Sequence, residues 1–206
     1  MTIEGGTTVT TAMRTRPEET AAPTLPAFGD GVFLDAATLG DRHAFEALVA
    51  RYGPALHRYA RRMLRDSGDV EEVVQDTFLA AWRRLDSFRG ESSVQTWLFA
   101  ICSRKIVDTH RVKRARPIDD RLLEPLVVSS TRGDPFVAAS NAEFIVALEA
   151  ALAELPARQR AVWVLREIES MSFVDIGTVL VLSPDATRGH YRRARTTLSE
   201  RLVRWR

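Results

Sequence analysis

Arginine residues near the C-terminus recur at a spacing that could place them on a nucleic acid. Arg188, Arg192 and Arg195 stand at positions i, i+4 and i+7, so in a helix they share one face beside an apolar stripe. Guanidinium groups presented in this way can bind base edges in a major groove and neutralise the phosphates beside it. The same spacing also fits an ordinary solvated face. Spacing alone therefore leaves DNA binding and simple solvation both open.

A second basic segment follows a stretch that carries aromatic residues. Positions 104–116 hold six Lys and Arg residues against one acid. Aromatic rings stack on unpaired bases while basic groups neutralise phosphates, so this combination suits single-stranded or melted DNA. Trp97 also lies on an apolar stripe, and this position predicts that it belongs to the core. The same prediction applies to Cys102. The basic tract and the aromatic residues before it are Arg111, Lys113, Arg114, Arg116, Phe88, Trp97 and Phe99.

Charge is distributed unevenly, although the formal net charge is only +2. Residues 66–76 contain five acids and no base, in contrast to the two basic tracts. The pattern predicts separate working faces of opposite charge.

No arrangement typical of an enzyme stands out. The four His residues, at positions 43, 57, 110 and 190, have no metal-ligand spacing, and no catalytic triad, carboxylate pair or phosphate loop is evident. Cys102 is the only cysteine, which excludes an internal disulfide and a Cys-rich zinc site. No apolar run approaches the roughly 20 residues of a membrane span, and the N-terminus lacks a secretory pattern. We expect a cytoplasmic, non-catalytic protein without cofactor, metal or membrane insertion.

Apolar residues recur at three- and four-residue steps, which predicts an all-α fold of two small helical domains joined by a flexible linker. Residues 1–28 are predicted to be a disordered tail and residues 29–115 the first domain. Residues 116–139 are the linker, and residues 140–206 the second domain. The last helices of the second domain have helix-turn-helix dimensions. Helix starts are predicted at five pairs of capping residues: Asp69 with Glu72, Ser92 with Gln95, Ser140 with Glu143, Ser172 with Asp175, and Ser183 with Pro184.

Two ordered sets of motifs resemble the extracytoplasmic-function (ECF) sigma factors of the sigma-70 family. The first domain carries matching segments at residues 40–48, 69–82, 88–93 and 96–99, and the second at residues 155–160, 165–167, 172–176 and 193–195. The resemblance spans nearly everything except the tail and the linker. It identifies residues 29–115 with sigma region 2 and residues 140–206 with sigma region 4.

The resemblance implies a factor that binds core RNA polymerase, directs it to promoters and promotes melting of the −10 element. Region 2 would dock on the clamp helices of the polymerase β′ subunit, and region 4 would lie on the β flap. An anti-sigma factor is a conceivable further partner. The acidic and amide surface that would meet the polymerase comprises Asp69, Glu72, Gln75 and Asp76.

The family pattern also implies which residues contact promoter DNA, double-stranded at −35 and melted at −10. Arg166 would contact a phosphate near the −35 element. Gly189 belongs to a stretch that departs from the family pattern, and it would permit close approach to a base edge or backbone at a cost of about 1 kcal/mol of helix propensity. The implied −35 set is Arg166, Arg188, Gly189, Arg192 and Arg193. The implied −10 set is Arg89, Ser92, Ser93, Gln95, Arg104, Arg111, Lys113 and Arg114.

Two departures from the family pattern concern DNA contacts. Arg104 replaces a common Asn, and residues 185–190 replace the usual start of the recognition helix, so no base-by-base code is carried over. Two other functions remain as alternatives: a helix-turn-helix regulator whose first domain is a sensor, and an RNA-binding or anti-termination factor that uses the same basic tracts.

Overall fold

The computed structural model describes residues 34, 36–37, 39–115 and 135–205. The predicted tail, residues 1–28, and residues 116–134 of the predicted linker lie outside the described residues. Within the described part the chain is helical and has no strand, which confirms the all-α prediction. Its α-helices are α1 Arg42–Met63, α2 Ser67–Trp82, α3 Val94–Ala115, α4 Pro135–Glu154, α5 Ala157–Glu167, α6 Phe173–Leu180 and α7 Pro184–Arg201. Short 3-10 helices occupy Leu85–Ser87 and Val203–Trp205.

Helices α1, α2 and α3 pack together into the first domain. The Asp41 side chain caps α1 by accepting the backbone N–H of His43 at 2.9 Å. Tyr59, on the buried face, packs against Phe99 of α3 with ring centroids 5.5 Å apart, and its hydroxyl hydrogen-bonds the Ser103 hydroxyl at 2.9 Å. The buried apolar stripe of α1 contains Leu48, Tyr52, Leu56, Tyr59 and Met63. Each such side chain contributes about 1.5–3 kcal/mol when fully buried.

Three predicted helix starts are wrong by a few residues. Helix α2 is capped by Asp66, which accepts the N–H of Asp69 at 3.0 Å because the chain is still extended at Asp66. Ser93, and not Ser92, caps α3 by accepting the N–H of Thr96 at 3.0 Å. Helix α4 begins at Pro135, ahead of the predicted start at Ser140, since the fixed φ of proline suits a first helical turn.

Helices α5, α6 and α7 form the predicted helix-turn-helix unit, and both of its capping predictions are confirmed. Ser172 accepts the N–H of Asp175 at 3.1 Å, and Ser183 accepts the N–H of Ala186 at 3.2 Å with Pro184 in the first turn of α7. Between these helices Val181 adopts a left-handed conformation with φ 53° that turns the chain sharply.

The two domains pack against each other through α3 with α6 and through α1 with α5. Val162, Leu165 and Ile176 of the second domain are fully buried in the same apolar cluster as the core of the first. A smaller cluster joins α4 to α7 through Leu152, Leu155, Ala194 and Leu198. Sequence periodicity predicted two separate blocks and did not predict this contact.

Candidate nucleic-acid interface

Helix α7 presents its basic residues to solvent from a firmly packed inner face. Thr187 and Ala194 are completely buried, while Arg188, Arg192 and Arg193 are exposed. The guanidinium of Arg188 pairs with the Asp185 carboxylate at 3.1 Å. The structure therefore brings the predicted arginine face together on one exposed helix surface.

Two neighbouring contacts hold α7 against α5 and α6. The Tyr191 hydroxyl donates to the Glu167 carboxylate at 2.6 Å, and its ring meets Phe173 at 5.3 Å between centroids. Burial and the Glu167 carboxylate raise the pKa of Tyr191 above its ordinary value. Arg195, which belongs to the i, i+4, i+7 series, places its guanidinium carbon over the Tyr191 ring, 5.8 Å from the ring centroid.

Arg166 has a structural role that sequence reasoning missed. Its guanidinium donates to the carbonyl of Met171 at 2.8 Å and lies 4.9 Å above the ring of Phe173. These contacts brace the turn between α5 and α6. Arg166 is half-buried, so a phosphate contact would use only the remaining N–H groups of its fork.

Gly189 and His190 complete the middle of the exposed face of α7. A Cβ added at Gly189 would meet nothing closer than the flexible end of Arg193, at 3.6 Å. Burial, together with the positive charges of Arg193 and Arg158, lowers the pKa of His190 below its ordinary value. Neutral His190 therefore adds a hydrogen-bonding ring and no charge to the basic surface at neutral pH.

The loop before α3 forms a cavity of about 310 Å³ that is lined by Phe88 and Trp97, two of the three aromatic residues singled out in the sequence. Phe88 and Trp97 pack with ring centroids 5.1 Å apart, and Trp97 is half-buried rather than a full core residue. Ser92 and Arg89 line the same cavity, and Ser93 is occupied in capping α3. Cys102 is fully buried, as predicted.

The predicted −10 set extends from this loop along α3. Arg104 is exposed, and Arg111 pairs with Asp108 one turn earlier at 3.3 Å. The side chains of Lys113 and Arg114 lie outside the described residues, as does Arg116. Gln95 instead faces the second domain, where its amide donates to the Glu169 carbonyl at 3.3 Å.

Helix α2 carries the acidic face as predicted, and the Asp76 side chain on it is already engaged. Glu72 and Gln75 are exposed, and Asp69 is half-buried. The Asp76 carboxylate pairs with the Lys105 ammonium of α3 at 2.8 Å and therefore joins two helices of the first domain. Trp82 was predicted to face the core, yet it is 39% exposed. Its ring meets that of Phe45 edge-on, with the ring centroids 4.9 Å apart. With Leu79, 44% exposed, it gives α2 an apolar margin beside its acids.

Comparison with known proteins decides the family. The family model for Sigma-70 region 2 matches residues 48–116, and that for Sigma-70, region 4, matches residues 145–198. The RNA polymerase sigma factor CnrH of Cupriavidus metallidurans is 35% identical over 181 residues, covering 84% of this chain and 94% of CnrH. This chain belongs to the ECF sigma factors.

Further relatives agree with this assignment. The ECF RNA polymerase sigma factor SigM of Mycobacterium tuberculosis is 32% identical over 173 residues, covering 84% of each chain. Among solved structures, CnrH in complex with the cytosolic domain of CnrY superposes with a TM-score of 0.64 and 34% identity, covering 84% of this chain and 97% of that one.

An ECF sigma factor is a promoter-specific initiation factor of RNA polymerase, and this sigma factor therefore acts on promoter DNA together with the core enzyme. A sensor-type regulator would not carry region 2 ahead of its helix-turn-helix, so that alternative is set aside. No helix of the described residues is long and apolar enough to cross a membrane. The described part of the chain also contains no group of three or more side chains suited to a metal ion.

Proposed function

We propose that this sigma factor divides promoter recognition between its two domains, with α7 reading the −35 duplex and the loop at residues 88–95 capturing the melted −10 strand. The observation that carries the proposal is the exposed arginine face of α7, held by the buried Thr187 and Ala194. A well-packed helix with a basic exposed side is the kind of element that enters a major groove.

In α7, Arg188 and Arg192 are the proposed base readers and Arg193 a proposed phosphate contact, and Arg166 of α5 is a second proposed phosphate contact. Arg188 must exchange its ion pair with Asp185 for DNA, a small cost because both groups are exposed. The cavity beside Phe88 and Trp97 lies at the lower end of the size range of ligand pockets, which suits one flipped base.

Docking on polymerase is assigned to the exposed part of α2. Glu72 and Gln75 supply the polar contacts, and Leu79 and Trp82 add apolar surface for the β′ clamp helices. The region 4 domain, residues 140–206, would lie on the β flap, and residues 116–139 would connect it to region 2, residues 29–115.

The proposed sigma factor acts in the cytoplasm and performs no catalysis itself, since the polymerase carries out the chemistry. An anti-sigma factor is proposed as a further partner. The sigma factor RpoE of Bartonella quintana, solved in complex with the anti-sigma factor NepR, shares this fold with a TM-score of 0.62 and 23% identity.

Alanine variants of Arg188 and Arg192 test the assignment of α7. Each is assayed as holoenzyme on promoters mutated base by base, at several salt concentrations. If the removed arginine binds guanine through two hydrogen bonds, its loss should cost about 1–3 kcal/mol of binding free energy and relax the preference at one base pair. A phosphate contact should weaken binding on all sequences and flatten the salt slope by about one unit.

Arg201→Ala is the matched control, because this substitution removes the same charge from the same helix. Arg201 pairs with Glu154 at 2.9 Å and is not among the proposed DNA contacts. Unchanged affinity, base preference and salt slope in both test variants would remove α7 from the DNA interface.

A further inference from the structure

Two arginines and a histidine from two helices of the second domain meet at one place on its surface. The guanidinium of Arg193 lies 3.4 Å from Nδ1 of His190, and one of its nitrogens would lie 3.6 Å from a Cβ built at Gly189. Arg193 therefore folds back over the preceding turn of α7. Arg158, exposed in the first turn of α5, is near enough for its charge to act on the same imidazole.

Within the part of the chain that the structure describes, no carboxylate neutralises this cluster. The charges that act on His190 are both positive, Arg193 of α7 and Arg158 of α5. Like charges held together repel each other, and an anion placed between them relieves the repulsion. The acids of the neighbouring helices have other partners: Asp185 with Arg188, Glu167 with Tyr191, Glu154 with Arg201, and Asp175 with Ser172 and Thr96.

The contact between Arg193 and His190 determines where the imidazole can gain a proton. A guanidinium only donates hydrogen bonds, so Nδ1 accepts here and the neutral ring carries its proton on Nε2. Partial burial and the charges of Arg193 and Arg158 lower the pKa of His190, which favours this neutral form. A proton added at Nδ1 leaves two donors facing each other, and an anion with several acceptor oxygens can bridge them.

A phosphate of the DNA backbone fits the cluster in both charge and position. Arg193 is already a proposed phosphate contact, and phosphate oxygens accept charge-assisted hydrogen bonds from guanidinium and imidazolium groups alike. At 3.4 Å the hydrogen bond between Arg193 and His190 is long, so a phosphate oxygen can readily replace it. A negative charge beside the imidazole favours its protonated form and opposes the effect of the two arginines.

We infer that Arg158, His190 and Arg193 form a site for one backbone phosphate of the −35 duplex, and that binding adds a proton from solvent to Nδ1 of His190. The inference rests on the proposed placement of α7 on DNA and adds Arg158 and His190 to that interface. Because His190 is neutral in the free protein and protonated in the complex, a fall in pH strengthens binding. Uptake of one proton raises the affinity by at most about tenfold for each unit that the pH falls.

The test measures binding of the holoenzyme to a duplex carrying the −35 element between about pH 6 and pH 8. His190→Gln, whose amide does not titrate, should bind nearly as well as the parent at pH 8 and about tenfold or more weakly at pH 6. His43→Gln is the matched control, because that side chain is 94% exposed on α1, and it should keep the parent profile. A parent-like pH profile in His190→Gln would overturn the inference.

Arg158→Gln tests the contribution of the second helix. Loss of a phosphate contact should weaken binding on every sequence and flatten the salt slope by about one unit. Arg201→Ala should leave the slope as in the parent, because Arg201 is paired with Glu154. An unchanged salt slope in Arg158→Gln would overturn the three-residue site.

Replacing single phosphates of the −35 duplex by uncharged methylphosphonates identifies the ligand. One replacement should remove the pH dependence that belongs to His190 in the parent holoenzyme and should have little further effect on His190→Gln. If no single replacement does so, a DNA phosphate is not the ligand. Binding to core polymerase that depends on pH in the parent protein and not in His190→Gln would place the cluster against the polymerase and also overturn the inference.

Arg188→Ala on the same duplex separates this inference from the proposed function. Weaker binding of Arg188→Ala together with a parent-like pH profile in His190→Gln would refute the phosphate site alone. Unchanged binding in both variants at every pH would refute the placement of α7 on DNA and the phosphate site with it.

Discussion

Two glycines of the helix-turn-helix should respond in opposite directions to the same substitution by alanine. Gly189, in the middle of α7, has room for a Cβ, whose nearest neighbour would be the mobile end of Arg193 at 3.6 Å. Gly177 of α6 has none, because its Cβ would lie 2.9 Å from the backbone carbonyl oxygen of Leu182.

The magnitudes follow from these distances. Alanine is favoured over glycine inside a helix by about 0.8–1.0 kcal/mol, so Gly189→Ala should stabilise the protein by nearly that amount. For Gly177→Ala the same gain is set against overpacking of about 1–3 kcal/mol, because a backbone carbonyl cannot rotate away. We expect a net loss of about 1 kcal/mol, and at most about 2 kcal/mol, for Gly177→Ala.

Denaturant titration of both variants measures these changes, and thermal unfolding should show shifts of about 2–4 °C per kcal/mol for a chain of this size. A destabilised Gly189→Ala, or a Gly177→Ala as stable as the parent, would contradict the packing described for the helix-turn-helix.

The more stable variant should nevertheless be the poorer DNA binder. If the backbone at Gly189 approaches a base edge, the added methyl group should cost the holoenzyme about 1–3 kcal/mol on its −35 element. Affinity equal to that of the parent would remove Gly189 from the DNA interface while leaving the stability argument intact.

Three further predictions concern the first domain. Glu72→Lys should weaken binding to core polymerase, most strongly at low salt, whereas Glu200→Lys should not; equal affinities in a pull-down would refute the docking surface. Burial raises the pKa of Cys102 to about 12. The stability that the buried neutral thiol contributes is therefore fully present below the ordinary pKa of a thiol, and it is lost as the pH rises toward 12. A thiol reagent at pH 8 should therefore modify Cys102 only on unfolding, and rapid modification of the native protein would count against this burial. Tyr59→Phe should cost about 1 kcal/mol, and combining it with Ser103→Ala should cost less than the sum of the single losses; additive losses in denaturant titration would mean no coupling.

Local signals in the sequence were sufficient for the helices and for the arginine face of α7. The stripe from Leu48 to Met63 and the caps Ser172 and Ser183 act over three or four residues, so their spacing alone predicts them. Near misses arose where several capping residues stand together: both Asp66 and Asp69 could cap α2, and Asp66 is the one that has the extended backbone of an N-cap residue.

Residue type alone did not reveal which predicted site residues were already engaged. Asp76 was assigned to polymerase from its place on an acidic helix, but Lys105, 29 positions away, holds it against α3. Arg166 was assigned to phosphate, but the turn that follows it supplies the Met171 carbonyl and the Phe173 ring. The exposure of a side chain and its ion-pair or hydrogen-bond partners depend on which residues the neighbouring helices place beside it. Sequence periodicity contains no information about those neighbours.

The sequence by itself determined an all-α chain with a region 2 segment, a region 4 segment and a basic final helix, because each follows from short-range patterns and ordered motifs. Only the tertiary structure decided that the two domains share a core and that Arg58 meets Glu169, 111 positions along the chain. Such a pair leaves no periodic trace, since it depends on the packing of α5 against α1 and of α6 against α3. The physical reason is that a carboxylate becomes buried only when a second surface covers it and supplies its partner.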